Sequence, residues 1–358
     1  MRVVVAYEAG QPLVLEDLPT PDVGSRDVLV RLAASGICHT DLNVIDGRSP
    51  LPLPIVPGHE GCGTVEAVGP EVRRVKVGDR VLASVTPACG SCWWCLNGMS
   101  NHCELNPAVK AAARFTLADG RRAAAVCGCG TFAEMMVVDE ASVVAVRTDL
   151  ADEQLALLGC GVTTGLGAAL NTAGVTPGSS VAVIGCGGVG QSVIQGARIA
   201  GAADIIAVDP VTGRREASAG MGANHTIDPA EGDPVEQVLA LTAGRGADHT
   251  FEVVGRPELM VQAVDMARPE GTVTFVGMPA VGDLLTLPAI KTVFSGKRIS
   301  GSVIGGSQIL RDFPRYIRLA ESGRLDLGSL ISRRITLDEI NLGIDAARAG
   351  DGVRTVVR

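Results

Sequence analysis

The chain is poor in aromatic side chains and has no excess of positive charge. Only 3% of its 358 residues are aromatic, and 39 Asp and Glu outnumber 31 Lys and Arg, which gives a formal net charge of -8 at pH 7. Binding to nucleic acid or to an anionic membrane surface depends on clustered basic side chains. The composition therefore argues against both kinds of partner.

The chain also lacks an apolar run of the length that a membrane-spanning helix needs, about 20 residues. Its first residues, MRVVVAYEAGQP, hold one Arg and a very short apolar run, unlike a signal peptide. We expect a cytoplasmic protein that binds no membrane. A chain of this length is expected to fold as two domains.

Ten cysteines need an explanation, because a reducing cytosol disfavours disulfides and favours metal ligation or catalysis. Four of them lie within CGSCWWCLNGMSNHC, at Cys89, Cys92, Cys95 and Cys103. Four thiolates can close a tetrahedral shell around Zn2+ and leave no position for substrate, so the spacing predicts a structural zinc site. An iron–sulfur cluster uses the same donors, and spacing alone does not separate the two.

The first 150 residues have the pattern of short strands, with Val-rich runs such as DVLVRLAAS and FAEMMVVD between turn residues. From about residue 152, apolar strand patterns alternate with helical patterns, as in SSVAVIGCGGVGQSVIQGARIAGAADIIAVDP. This alternation predicts an α/β fold with a doubly wound parallel sheet.

A glycine-rich hexamer lies between a predicted strand and a predicted helix. In such a G-x-G-x-x-G element the first glycine permits a tight turn, the second lets the backbone approach a pyrophosphate, and the third lets helix and strand pack closely. The helix N-terminus also favours phosphate. The alternative is a packing turn without a ligand. We expect cofactor contacts from Gly185, Gly187, Gly188, Val189 and Gly190.

Asp209 stands nineteen residues after Gly190, at the end of the next predicted strand. A carboxylate there can accept hydrogen bonds from the adenosine ribose and repels a 2′-phosphate, so we expect NAD rather than NADP. Arg214 and Arg215 follow closely and weaken this preference.

Three further candidate metal ligands lie outside the cysteine loop, in GICHTD, PGHEGCG and LLGCGV: Cys38, His59 and Cys160. They are far apart in the sequence, so spacing does not show whether they converge. Taken singly, each is typical of a buried small residue or a satisfied histidine.

Over essentially its whole length the chain resembles the zinc-dependent medium-chain alcohol dehydrogenases. The segments that carry the resemblance occur in the family's order: GICHTDL, PGHEGCGTVEAVG, the four-cysteine loop, LLGCGVTTGLGAA, VIGCGGVG, VDP, FEVVGR and VRTVV. The chain is most similar to the subgroup of class III-type, thiol-dependent formaldehyde and bacterial nicotinoprotein enzymes. The resemblance implies a Rossmann NAD-binding domain over 162–304. It also implies a mostly-β, GroES-like catalytic domain over 1–161 and 305–358, with a structural zinc lobe at 89–103.

The resemblance implies that Cys38, His59 and Cys160 ligate a catalytic zinc and leave its fourth position open for water or alcohol. With the structural site, this makes two zinc ions per chain. Zinc lowers the pKa of a bound hydroxyl and polarises a carbonyl in the reverse reaction.

Three neighbours of these ligands match family positions. Thr40 matches the hydroxyl of the proton relay, Asp41 matches the carboxylate that orients the ligand histidine, and Glu60 matches a carboxylate behind the zinc that can ligate it transiently. Without the resemblance, Asp41 and Glu60 would be interpreted as turn or surface carboxylates.

Two positions depart from the pattern of some relatives. His39 stands near the expected cofactor pyrophosphate, where some members have Arg, so we expect weaker and more pH-dependent binding there. Asn43 stands where several relatives end the relay in a histidine, and an asparagine cannot titrate. The relay must therefore leave through ribose hydroxyl and water, or through His39.

The remaining expected contacts rest on the same resemblance. Val85 replaces an aromatic residue of some relatives, which implies a wider pocket and bulkier alcohols than ethanol. The expected additional cofactor contacts are Thr164, Arg214, Arg256 and Arg354, and the expected pocket walls are Ser49, Val85, Val126, Met278 and Ile304.

The resemblance implies an enzyme that transfers hydride between a primary or secondary alcohol and NAD. Two alternatives stay open: a thiol-adduct formaldehyde dehydrogenase or S-nitrosothiol reductase of the same architecture, and a non-enzymatic zinc-holding or redox-sensing protein. The complete zinc trio with Thr40 argues against the second. We expect a homodimer, with a tetramer as the alternative. The sequence does not identify the physiological alcohol, the reaction direction, or whether NAD exchanges.

Overall fold

The structure, a computed structural model, describes residues 1–49 and 51–358. It divides into two compact units. The first comprises Met1–Cys160, Gln308–Gly323 and Leu327–Arg358, and the second comprises Gly161–Ser307 and Arg324–Asp326. Gly161, residues 305–307 and Arg324–Asp326, which the sequence-based boundaries assign to the catalytic domain, cluster with the second unit.

Short strands dominate the first unit, as the alternation of Val-rich runs and turn residues predicts. The strands of the described residues are β1 Arg2–Val5, β2 Val14–Asp17, β3 Asp27–Gly36, β4 Ile55–Val56, β5 Glu60–Val68, β6 Arg80–Ala83, β7 Phe115–Thr116, β8 Arg122–Ala125, β9 Met135–Asp139, β10 Val143–Ala145, β11 Ser180–Ile184, β12 Asp204–Val208, β13 His225–Ile227, β14 Ala247–Glu252, β15 Ala267–Phe275, β16 Arg298–Gly301, β17 Ile331–Ile335 and β18 Arg354–Val357.

Helix length changes along the chain: the α-helices before residue 160 have seven residues or fewer, whereas the later ones have seven to 13 residues in both units. The α-helices of the described residues are α1 His39–Ile45, α2 Trp93–Leu96, α3 Asn106–Ala111, α4 Asp152–Ala156, α5 Gly161–Gly167, α6 Gly188–Ala200, α7 Thr212–Met221, α8 Pro234–Leu241, α9 Pro257–Met266, α10 Ala289–Ser295, α11 Ile309–Glu321 and α12 Ile340–Ala349.

The main sheet of the first unit has seven strands in the order β10-β6-β5-β3-β18-β17, with β9 also paired to β3. The antiparallel pair β3 and β5 places Gly36 opposite Glu60, so the end of one strand meets the start of the other. Strand β18 joins β3 at the same end, with Val356 opposite Gly36. This corner of the sheet brings three distant parts of the sequence together.

The second unit is built on a six-stranded sheet in the order β13-β12-β11-β14-β15-β16, in which every pair is parallel. Counted along the chain this is the order 3-2-1-4-5-6 of the Rossmann fold. Strand β11 is an apolar run, SVAVI, whose last four residues are buried, as expected of a central parallel strand covered on both faces. The loop after it enters α6, and such a loop at a carboxyl edge is where dinucleotides bind in this fold.

Each unit has its own apolar core, as expected of separate domains. One core of the first unit is formed around Leu42, Ile45 and Phe132, and a core of the second around Ile184, Ile206 and Val273.

Within residues 1–49 and 51–358, no single helix is long and apolar enough to cross a membrane. Two consecutive helical segments, Asp152–Gly159 and Gly161–Thr172, reach the length and apolar composition of a membrane span only when they are counted together, and the chain bends by 60° between them. Buried core helices of soluble proteins meet the same two criteria.

Candidate functional site

The sulfurs of the four-cysteine loop converge. Sγ of Cys89 lies 3.9 Å from Sγ of Cys95, and Sγ of Cys92 lies 3.9 Å from Sγ of Cys103. All four sulfurs lie within 4.8 Å of one another. Thiolates in a tetrahedral zinc shell, with bonds of about 2.3 Å, are separated by about 3.8 Å. The donor set therefore fits one zinc ion with a closed shell.

Local backbone groups favour the thiolate at the first cysteine. Burial raises the pKa of Cys89, but the N–H groups of Ser91 and Cys92, 3.4 and 3.3 Å from its sulfur, lower it to about 6. A thiolate is the form that binds metal. The side chain that fixes the start of this loop was not predicted: Arg74 donates to the carbonyl oxygens of Ala88 and Cys89 at 2.6 and 2.8 Å. No local sequence pattern marks Arg74 for this role.

A second group of donors gathers Cys38, His59, Glu60 and Cys160, whose ligand atoms lie within 4.8 Å of one another. All four residues are buried. The structure thus brings together the three distant residues that spacing alone could not connect. The pairing of β3 with β5 explains how Cys38 and His59 meet, because the first follows the end of β3 and the second precedes the start of β5.

The imidazole of His59 is held at one nitrogen. Its Nδ1 lies 2.9 Å from Oδ1 of Asp41, which also accepts from the N–H of Gly58 at 2.9 Å, while Oδ2 accepts from the N–H of Cys38 at 3.2 Å. Nε2 of His59 is buried and has no hydrogen-bond partner among the described residues. An unpartnered buried nitrogen beside two thiols is what a metal ligand requires.

The thiols of Cys38 and Cys160 share a hydrogen bond. A hydrogen bond from Cys160 lowers the pKa of Cys38 well below its usual value, against the opposite effect of burial, and the same contact raises the pKa of Cys160. Burial lowers the pKa of His59, but Asp41 and the neighbouring thiols outweigh it and raise that pKa well above its usual value. A metal ion that binds here would displace the thiol protons and any proton on Nε2 of His59, since metal ligands must be deprotonated.

The carboxylate of Glu60 forms an ion pair with Arg354, and both side chains are buried. Burial lowers the pKa of Arg354, but Glu60 and the nearby thiols raise it above its usual value, so this arginine stays charged. The ion pair of Arg354 with Glu60 could not be foreseen from the sequence, and the expected contact of Arg354 with the cofactor stays a prediction.

Helix α1 carries the other residues expected near this group. The hydroxyl oxygen of Thr40 lies 3.9 Å from Sγ of Cys38. His39 is exposed and Asn43 half-buried. The hydroxyl is thus close to the thiol of Cys38, while its role in a proton relay stays a prediction.

The glycine-rich loop of the second unit has the geometry that each glycine was expected to provide. Gly185 has a φ of +90°, which favours glycine, and a β-carbon at Gly190 would collide with the carbonyl oxygen of Gly185. A β-carbon at Gly187 would meet nothing within 4 Å, so open space lies above its backbone. Helix α6 begins at Gly188, and Val189 lies in its first turn. The loop leaves room for a phosphate at the helix N-terminus.

Asp209 lies at the end of β12 beside this loop. Its Oδ2 accepts from the N–H of Cys186 at 2.8 Å and its Oδ1 from the N–H of Val211 at 2.8 Å. The guanidinium of Arg214 lies 3.9 Å from Oδ2 of Asp209, and Arg215 pairs with Asp228 at 2.9 Å. The carboxylate therefore packs against the loop that it was expected to serve.

The other expected cofactor contacts of the second unit differ in environment. Thr164 is buried, and its Oγ1 has no partner within the described part of the chain, which suits a ligand contact. Arg256 is exposed and pairs with Glu258.

The expected pocket walls also differ. Within the first unit, Ser49 is half-buried and Val85 buried, whereas Val126 is fully buried in a core cluster with Ile45 and Phe132. In the second unit, Met278 is exposed and Ile304 half-buried with a φ of +49°. Their roles as walls stay predictions.

The chain matches two family models. Residues 24–148 match the Alcohol dehydrogenase GroES-like domain, and residues 188–322 match the Zinc-binding dehydrogenase domain. The two units and their donor groups thus define a zinc-dependent oxidoreductase with a nucleotide-binding domain.

Full-length relatives give the same result. An S-(hydroxymethyl)glutathione dehydrogenase of Synechocystis is 36% identical, with 99% of both chains covered, and an NDMA-dependent alcohol dehydrogenase of Amycolatopsis methanolica is 36% identical, with 99% of this chain and 98% of the relative covered. The crystal structure of benzyl alcohol dehydrogenase from Acinetobacter calcoaceticus matches with a TM-score of 0.93 and 33% identity over 99% of this chain and 98% of that chain.

The chain belongs to the zinc-dependent medium-chain alcohol dehydrogenase family. The predicted family, the Rossmann and GroES-like fold class, the enzyme class, and zinc with a nicotinamide dinucleotide as cofactors are thereby confirmed. The protein acts on a small-molecule alcohol.

Proposed function

We propose that this enzyme oxidises bulky primary or secondary alcohols with NAD and reduces the corresponding aldehydes or ketones. The observation that carries the proposal is the buried convergence of Cys38, His59 and Cys160 with an unpartnered Nε2 on His59. With Glu60 paired to Arg354, these three donors would form a shell with one open position, which is the arrangement of a catalytic rather than a structural zinc site.

Each donor group has its own metal in this proposal. Cys38, His59 and Cys160 would hold the catalytic zinc, and the four cysteines of the loop would hold the structural one. Zinc bound to the trio would supply a Lewis acid that lowers the pKa of an alcohol hydroxyl, and NAD would supply the hydride acceptor.

The chain's own residues then manage protons and orientation. The hydroxyl of Thr40 can accept the alcohol proton while it donates its own onward. Asp41 holds Nδ1 of His59 and so keeps Nε2 available as a ligand atom. Arg354 holds the carboxylate of Glu60 beside the trio, which leaves the open position to substrate unless Glu60 leaves its partner.

NAD is preferred to NADP in this proposal because Asp209 is a buried carboxylate beside the glycine-rich loop. The negatively charged 2′-phosphate of NADP would lie close to this carboxylate and be repelled by it. The first unit would be the catalytic domain and the second the coenzyme domain.

The substrate class rests on Val85, a small side chain where some relatives carry an aromatic one, and on similarity to a benzyl alcohol dehydrogenase. The alternative is a thiol adduct of formaldehyde, and it is supported by the similarity to S-(hydroxymethyl)glutathione dehydrogenase.

A substrate screen separates these candidates. The purified enzyme is assayed with NAD against ethanol, benzyl alcohol, an allylic alcohol and S-(hydroxymethyl)glutathione, with a test for co-purified nucleotide and with an external hydride acceptor in parallel. We expect the highest kcat/KM with benzylic or allylic alcohols. A preference for the thiol adduct would contradict the proposal, as would the absence of turnover with every benzylic and allylic alcohol tested.

A homodimer is the proposed quaternary state. The sheet of the second unit ends at β16, and the adjoining residues carry large exposed apolar side chains: Val281 84%, Leu284 83%, Ile290 72%, Val293 77% and Phe294 84%. A bare strand edge with an apolar margin favours pairing with a second copy. Light scattering of Phe294→Asp should give a smaller mass than that of the parent protein. An unchanged mass contradicts this interface, and a parent mass of four chains indicates the tetramer.

A further inference from the structure

Glu252 is a buried carboxylate at the carboxyl end of β14, outside every group discussed above. Its strand pairs with β11 and β15, with Ile184 and Phe275 as its partners. Ile184 is the last residue before the glycine-rich loop. Glu252 therefore stands one strand away from the start of the dinucleotide site.

The side chain of Glu252 shapes the turn that follows it. Oε1 accepts from the N–H of Val254 at 2.9 Å and from the N–H of Gly255 at 2.8 Å. The N–H of Val253 in turn donates to the carbonyl oxygen of Ile184 at 3.0 Å. One oxygen that accepts from two successive N–H groups fixes this turn to the end of β14.

The main chain of Glu252 shapes a second turn. Its carbonyl oxygen accepts from the N–H groups of Val276 and Gly277 at 2.8 and 3.0 Å. The two turns are in close contact: Gly255 has a φ of +89°, and a β-carbon there would lie 2.5 Å from the backbone of Met278. Neither turn can shift without the other.

The first turn also touches the glycine-rich loop. A β-carbon added at Gly185 would lie 2.5 Å from Cγ2 of Val254. The position of Val254 therefore limits the space at the first glycine of the loop, and that position depends on Oε1 of Glu252.

We infer that Glu252 is a positioning residue of the dinucleotide site, which acts through the 253–255 turn and not by touching the cofactor. This rests on the proposed function, in which the loop at 185–190 binds NAD. Burial raises the pKa of Glu252 while the N–H groups of Gly255 and Val254 oppose the effect, and either protonation state can accept through Oε1. The role needs the acceptor rather than the charge.

The test compares three variants by calorimetric titration with NAD, together with zinc content, melting temperature and KM values. Glu252→Ala removes the acceptor and should raise the Kd for NAD about tenfold, with KM for NAD raised more than KM for the alcohol. Glu252→Gln keeps an acceptor oxygen and should bind NAD within about twofold of the parent. Thr250→Val is the matched control, because it removes a buried hydrogen bond of the same strand, from Thr250 to the carbonyl of Ala263 at 2.8 Å. This hydrogen bond involves no residue of either turn. The control variant should lower the melting temperature and leave the Kd unchanged.

An unchanged Kd in Glu252→Ala overturns the inference, as does a Glu252→Gln variant that binds as weakly as the alanine variant. If Glu252→Ala does not fold, Glu252→Asp replaces it in the test, because aspartate keeps the charge but is one methylene shorter and moves the acceptor oxygen away from the turn. A Kd for NAD raised about tenfold in Glu252→Asp supports the inference, and a Kd equal to that of the parent overturns it. A parent protein that binds no NAD would instead refute the proposed function.

Discussion

Nδ1 of His59 lies 2.9 Å from Oδ1 of Asp41, while Nε2 of the same ring has no partner among the described residues. The carboxylate thus fixes which nitrogen carries a proton and which one is free for a metal. Asp41 also accepts from the N–H groups of Gly58 and Cys38, so one side chain connects the two sequence segments that carry Cys38 and His59.

Replacement of Asp41 by asparagine should weaken catalytic zinc binding about 10- to 100-fold. The neutral amide cannot balance positive charge on the imidazole of His59. Its NH2 group would also face the N–H group of Gly58 or of Cys38, which donates to the carboxylate in the parent protein. Competition with a chelator measures the affinity. Asp46→Asn is the control, because Asp46 is the C-cap of the same helix and pairs with Arg348 at the surface. Equal zinc affinity in Asp41→Asn and the parent would contradict this account of Asp41.

Replacement of Thr40 by valine should lower kcat at least about 100-fold, because valine cannot pass a proton. Thr40→Ser keeps the hydroxyl and should retain most of the turnover. Zinc content of both variants checks that the metal sites are intact. If Thr40→Val turns over like the parent enzyme, the proton does not leave through this hydroxyl.

Replacement of Cys92 by serine should reduce the zinc content from two ions to one and lower the melting temperature, with activity lost as a consequence. The reason is that a structural zinc contributes folding free energy directly. Trp93→Ala is the control, since this neighbouring side chain is 58% exposed and should leave the zinc content unchanged. A stable Cys92→Ser variant with a selective loss of turnover would mean that the two metal roles are reversed.

Replacement of Asp209 by asparagine should reduce the preference for NAD over NADP at least about tenfold, or about 1.4 kcal/mol. The variant removes the charge that repels a 2′-phosphate. The ratio of kcat/KM for the two dinucleotides is the measurement, and Asp204→Asn, at the opposite end of β12, is the control. A ratio that stays at the parental value would show that Asp209 does not select the cofactor.

The features that the sequence alone predicts are those encoded in short segments. The four cysteines within fifteen residues and the glycine-rich turn between a strand and a helix each specify their own local geometry, and the structure contains both. The parallel sheet follows from alternating strand and helix patterns in the same way.

The second donor group could not be predicted from spacing, because its parts meet only through sheet pairing. Gly36 lies opposite Glu60, and Val356 lies opposite Gly36, so three strands from distant segments converge at one corner. The family resemblance supplied the trio, but the pairing of Glu60 with Arg354 depends on the position of β18, which no local pattern encodes.

The most direct test of the central claim is the zinc content of the parent protein and of Cys38→Ser, measured together with alcohol oxidation. The account predicts two zinc ions per chain in the parent, and one ion with no activity in a folded Cys38→Ser variant. A parent protein with a single zinc, or a Cys38→Ser variant that keeps both zinc ions and its activity, would contradict it.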